Sequence, residues 1–447
     1  MEESFVIYSE RVVLPEAIGA FSITITKGKI TAIKKGRQNL ENLPFYDYTK
    51  LVIMPGIIDP HVHINEPGRT EWEGFDTGTT AAAAGGVTTL VDMPLNASPV
   101  TINTQELHNK LAATEGKLHI NSGFWGGIVP SNTADLVPLA KAGVLGFKAF
   151  LTHSGIDEFP NVDEQTLCAA YEVLKGTNLP ILAHCELTTG SYDQDLQQDP
   201  MSYAAYLKSR PKHWENNAVA LMLKLAEKYQ HPTHIVHLAS ADSLDTIRAA
   251  KKRGVPITVE TCPHYLYFCA EDIPNADTRF KCAPPIRERA NNELLWDALL
   301  DGTLDFIGSD HSPAPPAIKA LDTGNLQKAW GGISGIQLTL SALWTKGQAY
   351  GLSLERLSML LCQAPAQFIG FEDKKGKIAV GYDADFVIWS PEASFLVSLD
   401  TLQTKHKVSP YEGQKLTGVV EATIVNGNFV WTKEGLTSKN KGALLLK

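Results

Sequence analysis

Eight short apolar runs, each closed by polar, glycine or proline residues, dominate the middle of the chain: GIIDPHVH, VTTLVDM, HINSGFW, VLGFKAFL, LPILAHC, HIVHLA, PITVETC and LDFIGSD. Apolar runs of this length, bounded by turn signals, predict strands buried on both faces. Helix-like segments separate most of them, among them TGTTAAAAGG, TLCAAYEVLKG, NAVALMLKLAEKY and SLDTIRAAKKRG. Parallel strands need a crossover long enough to return the chain, and a helix is the usual one. Repeated βα units of this number predict an α/β fold, a (β/α)8 TIM barrel.

The two ends differ from the middle. FVIYSERVVL and FSITITKGKITAIKKG alternate with period 2 around a Lys-Gly turn, and so do ADFVIWSP and GVVEATIVNGNFVWTKEG. The Asn-Gly of TIVNGNFVW is a two-residue hairpin signal. Because chain termini often lie close together, both ends are expected to build one small β-sandwich domain. The expected division is 1–53 for its N-terminal part, 54–384 for a metal-dependent barrel and 385–447 for its C-terminal part.

A chain of 447 residues, 44% hydrophobic and 20% charged, is long enough for a large core. Its formal net charge of −9 speaks against a nucleic-acid partner and gives no support for docking on anionic lipid. The first residues, MEESFVIYSERVV, lack the basic and apolar regions of a signal peptide. The longest apolar stretches are too short to span a bilayer. Six cysteines without a CxxC pair read as free thiols of a reducing compartment. The expectation is a cytoplasmic protein with no membrane partner.

Barrel active sites lie at the C-terminal ends of the strands. There the first run carries His61 and His63, the fourth Lys148, the fifth His184, the sixth His237 and the eighth Asp310. His61 and His63, two residues apart in an extended strand, share a face. A single histidine at a strand end is more often a hydrogen-bonded structural residue than a ligand. Four at the mouth of one barrel point to metal binding. Lys148, between Phe147 and Ala149, would bury its charge, at a cost that favours the neutral amine. A neutral amine can add CO2 to give a carbamate, which behaves as a carboxylate and could bridge two cations. The alternative is a lysine that snorkels to solvent or pairs with an acid. Five ligands and a bridging carbamate suit two divalent cations roughly 3.5–4 Å apart, with a water between them acidified toward hydroxide. Asp310 could take the water's proton and pass it to a leaving nitrogen. That chemistry fits hydrolysis of an amide-like C–N bond.

PGIIDPHVHINEPG, Lys148, HCE, VHLAS, ETCPHYL, PPIR and SDHSP together resemble the cyclic amidohydrolases, the group of dihydroorotases, dihydropyrimidinases (hydantoinases) and allantoinases. The resemblance spans nearly the whole chain. It implies that His61, His63, carbamylated Lys148, His184, His237 and Asp310 hold two divalent cations. Zinc suits these ligands, and Co, Mn, Ni or Fe would bind similar sites. Where dihydroorotases carry an arginine that clamps the substrate carboxylate, this chain has Asn65; Ala283 stands where they place Asn before a Pro-Pro pair. Asparagine cannot replace a bidentate guanidinium. Dihydropyrimidinases place an oxyanion-stabilising tyrosine five residues after the lysine, at the position of His153.

The stretch HVHINEPGRTEWEGFDTGTTAAAAGGVTTLVDMPLN, with KAWGGISGIQ and HKVSPYEG, resembles the allantoinases instead. It implies opening of the hydantoin ring of allantoin to allantoate, by a metal-bridged hydroxide with Asp310 as proton shuttle. Asn96 and His153 are the expected substrate contacts. Arg69 and Glu66 are expected to order the first loop by pairing, and Trp330 to pack in a loop over the site. His264 and His311 are expected near the ligands. By analogy with the group, the chain is expected to form a homo-oligomer, a tetramer. A hydantoinase-like or dihydropyrimidinase-like hydrolase, a dihydroorotase and a non-catalytic scaffold relative are the alternatives.

Overall fold

The computed structural model describes residues 4–40 and 42–447; residues 1–3 and Glu41, which fall in the expected N-terminal β part, lie outside it. All eight expected barrel strands form: Ile57–Val62, Val87–Asp92, Asn121–Phe124 continued by Gly126–Gly127, Phe147–Phe150, Ile181–His184, Thr233–Ile235, Ile257–Thr261 and Phe306–Ile307. They pair in parallel in chain order. The third strand breaks at Trp125, whose indole N–H donates to the Pro60 carbonyl at 2.8 Å. The ring closes where Val62 bridges His311 in parallel.

Helices cover the outside, including Phe75–Ala84, Thr104–Ala113, Glu164–Leu174, Lys212–Tyr229, Leu244–Lys252 and Arg289–Asp301. Their starts follow local chemistry. Asn103 accepts from the Glu106 N–H at 3.0 Å and Asp163 from the Thr166 N–H at 2.8 Å, each satisfying an orphan donor of a first turn.

The two ends of the chain build one hydrogen-bonded sheet path. It runs from Gly435–Leu436 through Asn428–Thr432, Lys415–Val425, Phe386–Leu396, Val52–Pro55, Ser4–Val13 and Ile18–Thr26 to Lys29–Lys35. Val52–Pro55 is the seam, parallel to one end of the chain and antiparallel to the other. The hairpins at the Lys-Gly and Asn-Gly turns each use two residues of positive φ, Lys27-Gly28 (50° and 76°) and Asn426-Gly427 (49° and 72°), the twist that suits paired strands. Phe5, Ile7, Ile25, Ile53, Phe386, Ile388 and Ile424 form its core.

The last residues depart from the expected assignment of 385–447 to this sheet. Ser122 N–H donates to Ala443 O and Leu445 N–H to Ser122 O, both at 2.9 Å, and Lys447 N–H donates to Gly143 O at 3.2 Å. The cause is local: Asn121–Phe124 has a strand partner on one side alone, and the tail satisfies Ser122 on the other. Among the described residues no helix is long and apolar enough to cross a membrane.

Candidate metal centre

Alternation along the first barrel strand aims Asp59, His61 and His63 inward together. Asp59 lies deepest. Its Oδ1 accepts from the backbone N–H of His61 at 3.2 Å and of Ser309 at 3.1 Å, tying the first strand to the end of the eighth. Burial pushes this carboxyl up to about 6.

Each of three histidines has one ring nitrogen taken by an acceptor. His61 Nδ1 pairs closely with Glu260 of the seventh strand. His63 Nδ1 lies 2.6 Å from the Leu95 carbonyl. His184 Nε2 lies 2.8 Å from Glu186 Oε2. An acceptor on one nitrogen puts the proton there and leaves a lone pair on the other. The freed nitrogens converge. His61 Nε2 and His63 Nε2 stand 3.2 and 3.4 Å from Asp310 Oδ1. His184 Nδ1 faces His237 Nε2 at 2.9 Å. The ligating atoms of His61, His63 and Asp310 all lie within 4.8 Å of one another.

Lys148 completes the group from the fourth strand. It is 0% exposed, and its Nζ has no hydrogen-bond partner among the described residues. Burial lowers its pKa to about 8, against the pull of Asp310 and Glu260. Asp310 behaves oppositely: burial raises it, but His61, His63 and His237 outweigh burial and hold it well below the usual carboxylate range. His61 is driven down by burial and more strongly up by Glu260 and Asp310, to about 9. Among the described residues His237 Nδ1 and Lys148 Nζ are buried without hydrogen bonds. Imidazole nitrogens that face a carboxylate fit divalent cations, which would take the place of the ring proton that Glu260 and Asp310 favour on His61; the Lys148 amine fits beside them once uncharged. Two of the residues, His237 (φ 42°) and Asp310 (φ 45°), hold left-handed backbone conformations. Such conformations cost about 1–3 kcal/mol each and persist where the surroundings enforce them.

A cavity of about 290 Å³ opens over these groups, walled in part by Asn96, His153, Tyr206, Arg210, Lys281 and Trp330. Asn96 Nδ2 donates to Asn65 Oδ1 at 3.2 Å, so the residue in the arginine position of dihydroorotases is engaged with its neighbour. The His153 side chain is 62% exposed at the rim, and its Nδ1 accepts from the Gly155 N–H at 3.1 Å. Trp330 packs edge-on against Trp72, with centroids 5.0 Å apart.

The expected Arg69–Glu66 pair does not form. Arg69 pairs with Glu158 at 3.1 Å, whereas Glu66 pairs with Lys117 and accepts from the Phe75 N–H at 2.8 Å. Each charge found a partner from a different loop, which spacing along the chain does not show. His311 supports the first strand through its backbone, accepting from the His63 N–H at 2.8 Å, while its ring accepts from the Gly335 N–H at 3.2 Å. His264 is buried and held neutral, at about 4. Sequence reasoning missed Glu260 and Glu186. A glutamate inside the apolar run PITVETC, and another two residues after His184, were the available signals.

Residues 52–430 match the amidohydrolase family. The allantoinase of Arabidopsis thaliana is 43% identical over 98% of this chain and 90% of its own length. The mitochondrial allantoinase of Aquarana catesbeiana is 46% identical over 82% of this chain and 75% of its own. The L-hydantoinase (dihydropyrimidinase) of Arthrobacter aurescens superimposes with a TM-score of 0.94 at 29% identity, covering 100% of both chains. The barrel, its inward-facing histidines and these similarities together establish that the chain belongs to the amidohydrolase family, in its allantoinase group.

Proposed function

We propose that the chain hydrolyses the hydantoin ring amide of allantoin to give allantoate, with His61, His63, Lys148, His184, His237 and Asp310 holding two divalent cations. The observation that carries this reading is the convergence of the free nitrogens of His61, His63 and His184 on Asp310 and His237. The cations would acidify a water and polarise the ring carbonyl. Zinc suits the imidazole and carboxylate donors best, with Co, Mn, Ni and Fe as competitors. The buried, unpartnered Lys148 amine, whose pKa burial lowers to about 8, supports a carbamate formed with CO2.

Asp310 is the proposed proton shuttle. Its Oδ1 is engaged by Ser312 Oγ at 3.0 Å and by the two histidines, whereas Oδ2 has no protein partner among the described residues and is free to accept and return a proton. Asn96 and His153, both in the cavity wall, are the proposed substrate contacts. A second reading, hydrolysis of simple hydantoins or dihydropyrimidines, is favoured by the close superposition on the L-hydantoinase.

A steady-state assay with defined metals and bicarbonate decides between them. Allantoin is expected to turn over faster than dihydrouracil or 5-substituted hydantoins, and the reverse order would sink the first reading. Metal analysis addresses the scaffold alternative: about two divalent ions per chain are expected. A homo-oligomer, tetrameric by family analogy, is proposed on the same footing, with light scattering as its check. So is a cytoplasmic location, which cell fractionation tests against the mitochondrial placement in the name of the Aquarana catesbeiana relative.

A further inference from the structure

One wall of the cavity carries an arginine that the ligand set does not use. Arg210 stands at the elbow between the helices Tyr203–Ser209 and Lys212–Tyr229. Pro211 follows it, and a residue before proline is pushed toward extended backbone; Arg210 has φ −127° and ψ 74°. Its backbone carbonyl accepts from Arg287 Nη1 at 2.7 Å, so the elbow is anchored from a second loop. Its guanidinium forks onto Glu186: Nε lies 3.0 Å from Oε1, and Nη2 closes on Oε2. Glu186 is 0% exposed and is the carboxylate that holds His184. The third guanidinium nitrogen, Nη1, has no protein acceptor among the described residues, and Arg210 lines the cavity.

We propose that Arg210 is a substrate-binding residue whose Nη1 donates to a neutral carbonyl oxygen on the ring substituent, and that Glu186 is the positioning residue that joins this contact to His184. On the reading of allantoin as substrate, that oxygen belongs to the ureido group. The chemistry of the pair selects the class of ligand. A free guanidinium in a cavity favours a carboxylate, as a bidentate anion clamp. Here Glu186 already occupies the fork and neutralises the charge, leaving the Nη1 amino group to donate to an uncharged acceptor. The Glu186 carboxylate stands between Arg210 and His184, which places the contact on a substituent rather than on the scissile amide.

The test uses the metal-loaded enzyme and two ligands: allantoin, and unsubstituted hydantoin as a competitive inhibitor that lacks the ureido group. Arg210→Lys keeps a cation beside Glu186 but removes the planar fork and Nη1. It is expected to raise the KM for allantoin about 10–100-fold, the range for a lost hydrogen bond to a charged donor. The kcat is expected to stay within a few-fold, with bound metal and the Ki of hydantoin unchanged. If hydantoin Ki rises as much as allantoin KM, or bound metal falls, Arg210 serves only His184 and the proposal is overturned. Should Arg210→Lys fail to fold, Arg210→Gln, which leaves Glu186 on His184, carries the same comparison; failure of both to fold would make the role structural. A wild-type enzyme inactive on allantoin would instead refute the proposed function, a distinguishable result.

Discussion

Glu260 shows at residue scale how this site manages buried charge. Burial raises its carboxyl, but His61 and His234 outweigh burial and hold it down to about 2. The anion serves one purpose for each neighbour: it fixes the proton of His61 on Nδ1 and lies 3.3 Å from His234 Nε2. Removing such a partner of a metal-binding histidine typically lowers metal affinity about 10–100-fold. Glu260→Gln is therefore expected to weaken metal binding by that factor, measured by competition with a chelator; unchanged affinity would show that His61 needs no fixed tautomer. Lys148→Ala is expected to abolish bound metal and turnover while the barrel still folds, with partial recovery on adding a short-chain carboxylic acid. Activity without any added acid would rule out the bridging role. Asp310→Asn is expected to keep at least one metal but to slow turnover about 10²–10⁴-fold, the usual worth of a positioned proton-transfer group.

The strands, at the scale of elements, act as a ruler. His61 and His184 lie next to or at the ends of their strands, Lys148 within Phe147–Phe150 and Asp310 just past Phe306–Ile307, and parallel pairing in register brings them to one mouth. Close approach of the first, seventh and eighth strands depends on Gly308, just past Phe306–Ile307. A Cβ there would fall 2.8 Å from Glu260 Oε2 and 2.9 Å from His61 Cβ. Gly308→Ala is thus expected to displace the pair that orients His61 and to cost about 1–3 kcal/mol of stability as overpacking, with loss of metal before loss of fold. Circular dichroism and metal content on the same preparation check this; full metal loading would mean that the strand yields elsewhere. Element identity was legible here because short apolar runs and helical periods differ in length and spacing. The cavity wall and the loops around it were not, because Arg210 of the wall acts through Glu186, 24 residues away, and Arg69 pairs with Glu158, 89 residues away.

On the scale of the whole molecule, one buried lysine helps to join the small sheet to the barrel. Lys375 Nζ lies 2.6 Å from Asp385 Oδ2 and 3.0 Å from Asp383 Oδ2. Asp385 also accepts from Asn121 of the third barrel strand at 3.3 Å and from the Asn426 N–H of the sheet at 2.7 Å. Burial lowers the Lys375 pKa, but Asp385 and Asp383 outweigh burial and hold it above 10.5. Burial likewise raises Asp383, which Lys375 and Lys29 pull below 3.8. A depressed carboxyl contributes stability that is present above its unfolded pKa and lost as pH falls through its folded one; a raised lysine contributes stability lost as pH rises through its folded pKa. The junction is therefore expected to weaken below about pH 3.8 and above about pH 10.5. Lys375→Met should lower stability by about 3–5 kcal/mol near neutrality, since it strips the buried Asp385 carboxylate of its cation, and should flatten both limbs of a plot of Tm against pH. Limbs of unchanged slope would place the pH dependence elsewhere.

The chain's own order of residues determined the barrel, the sheet of both termini and which polar residues stand at the barrel mouth, because each is written in local periodicity and in which residues close each strand. Asn65 in place of arginine was equally local, and it separated the allantoinase group from the dihydroorotases. Tertiary structure alone decided which nitrogen of His61 and of His63 is free, since the acceptors Glu260 and Leu95 come from a strand and a loop that spacing does not relate to them. It alone paired Arg69 with Glu158, and it alone sent the last residues back along the third barrel strand. Hydrogen bonds between distant loops depend on three-dimensional distance and on which buried donors lack a partner, and neither quantity is carried by sequence neighbours.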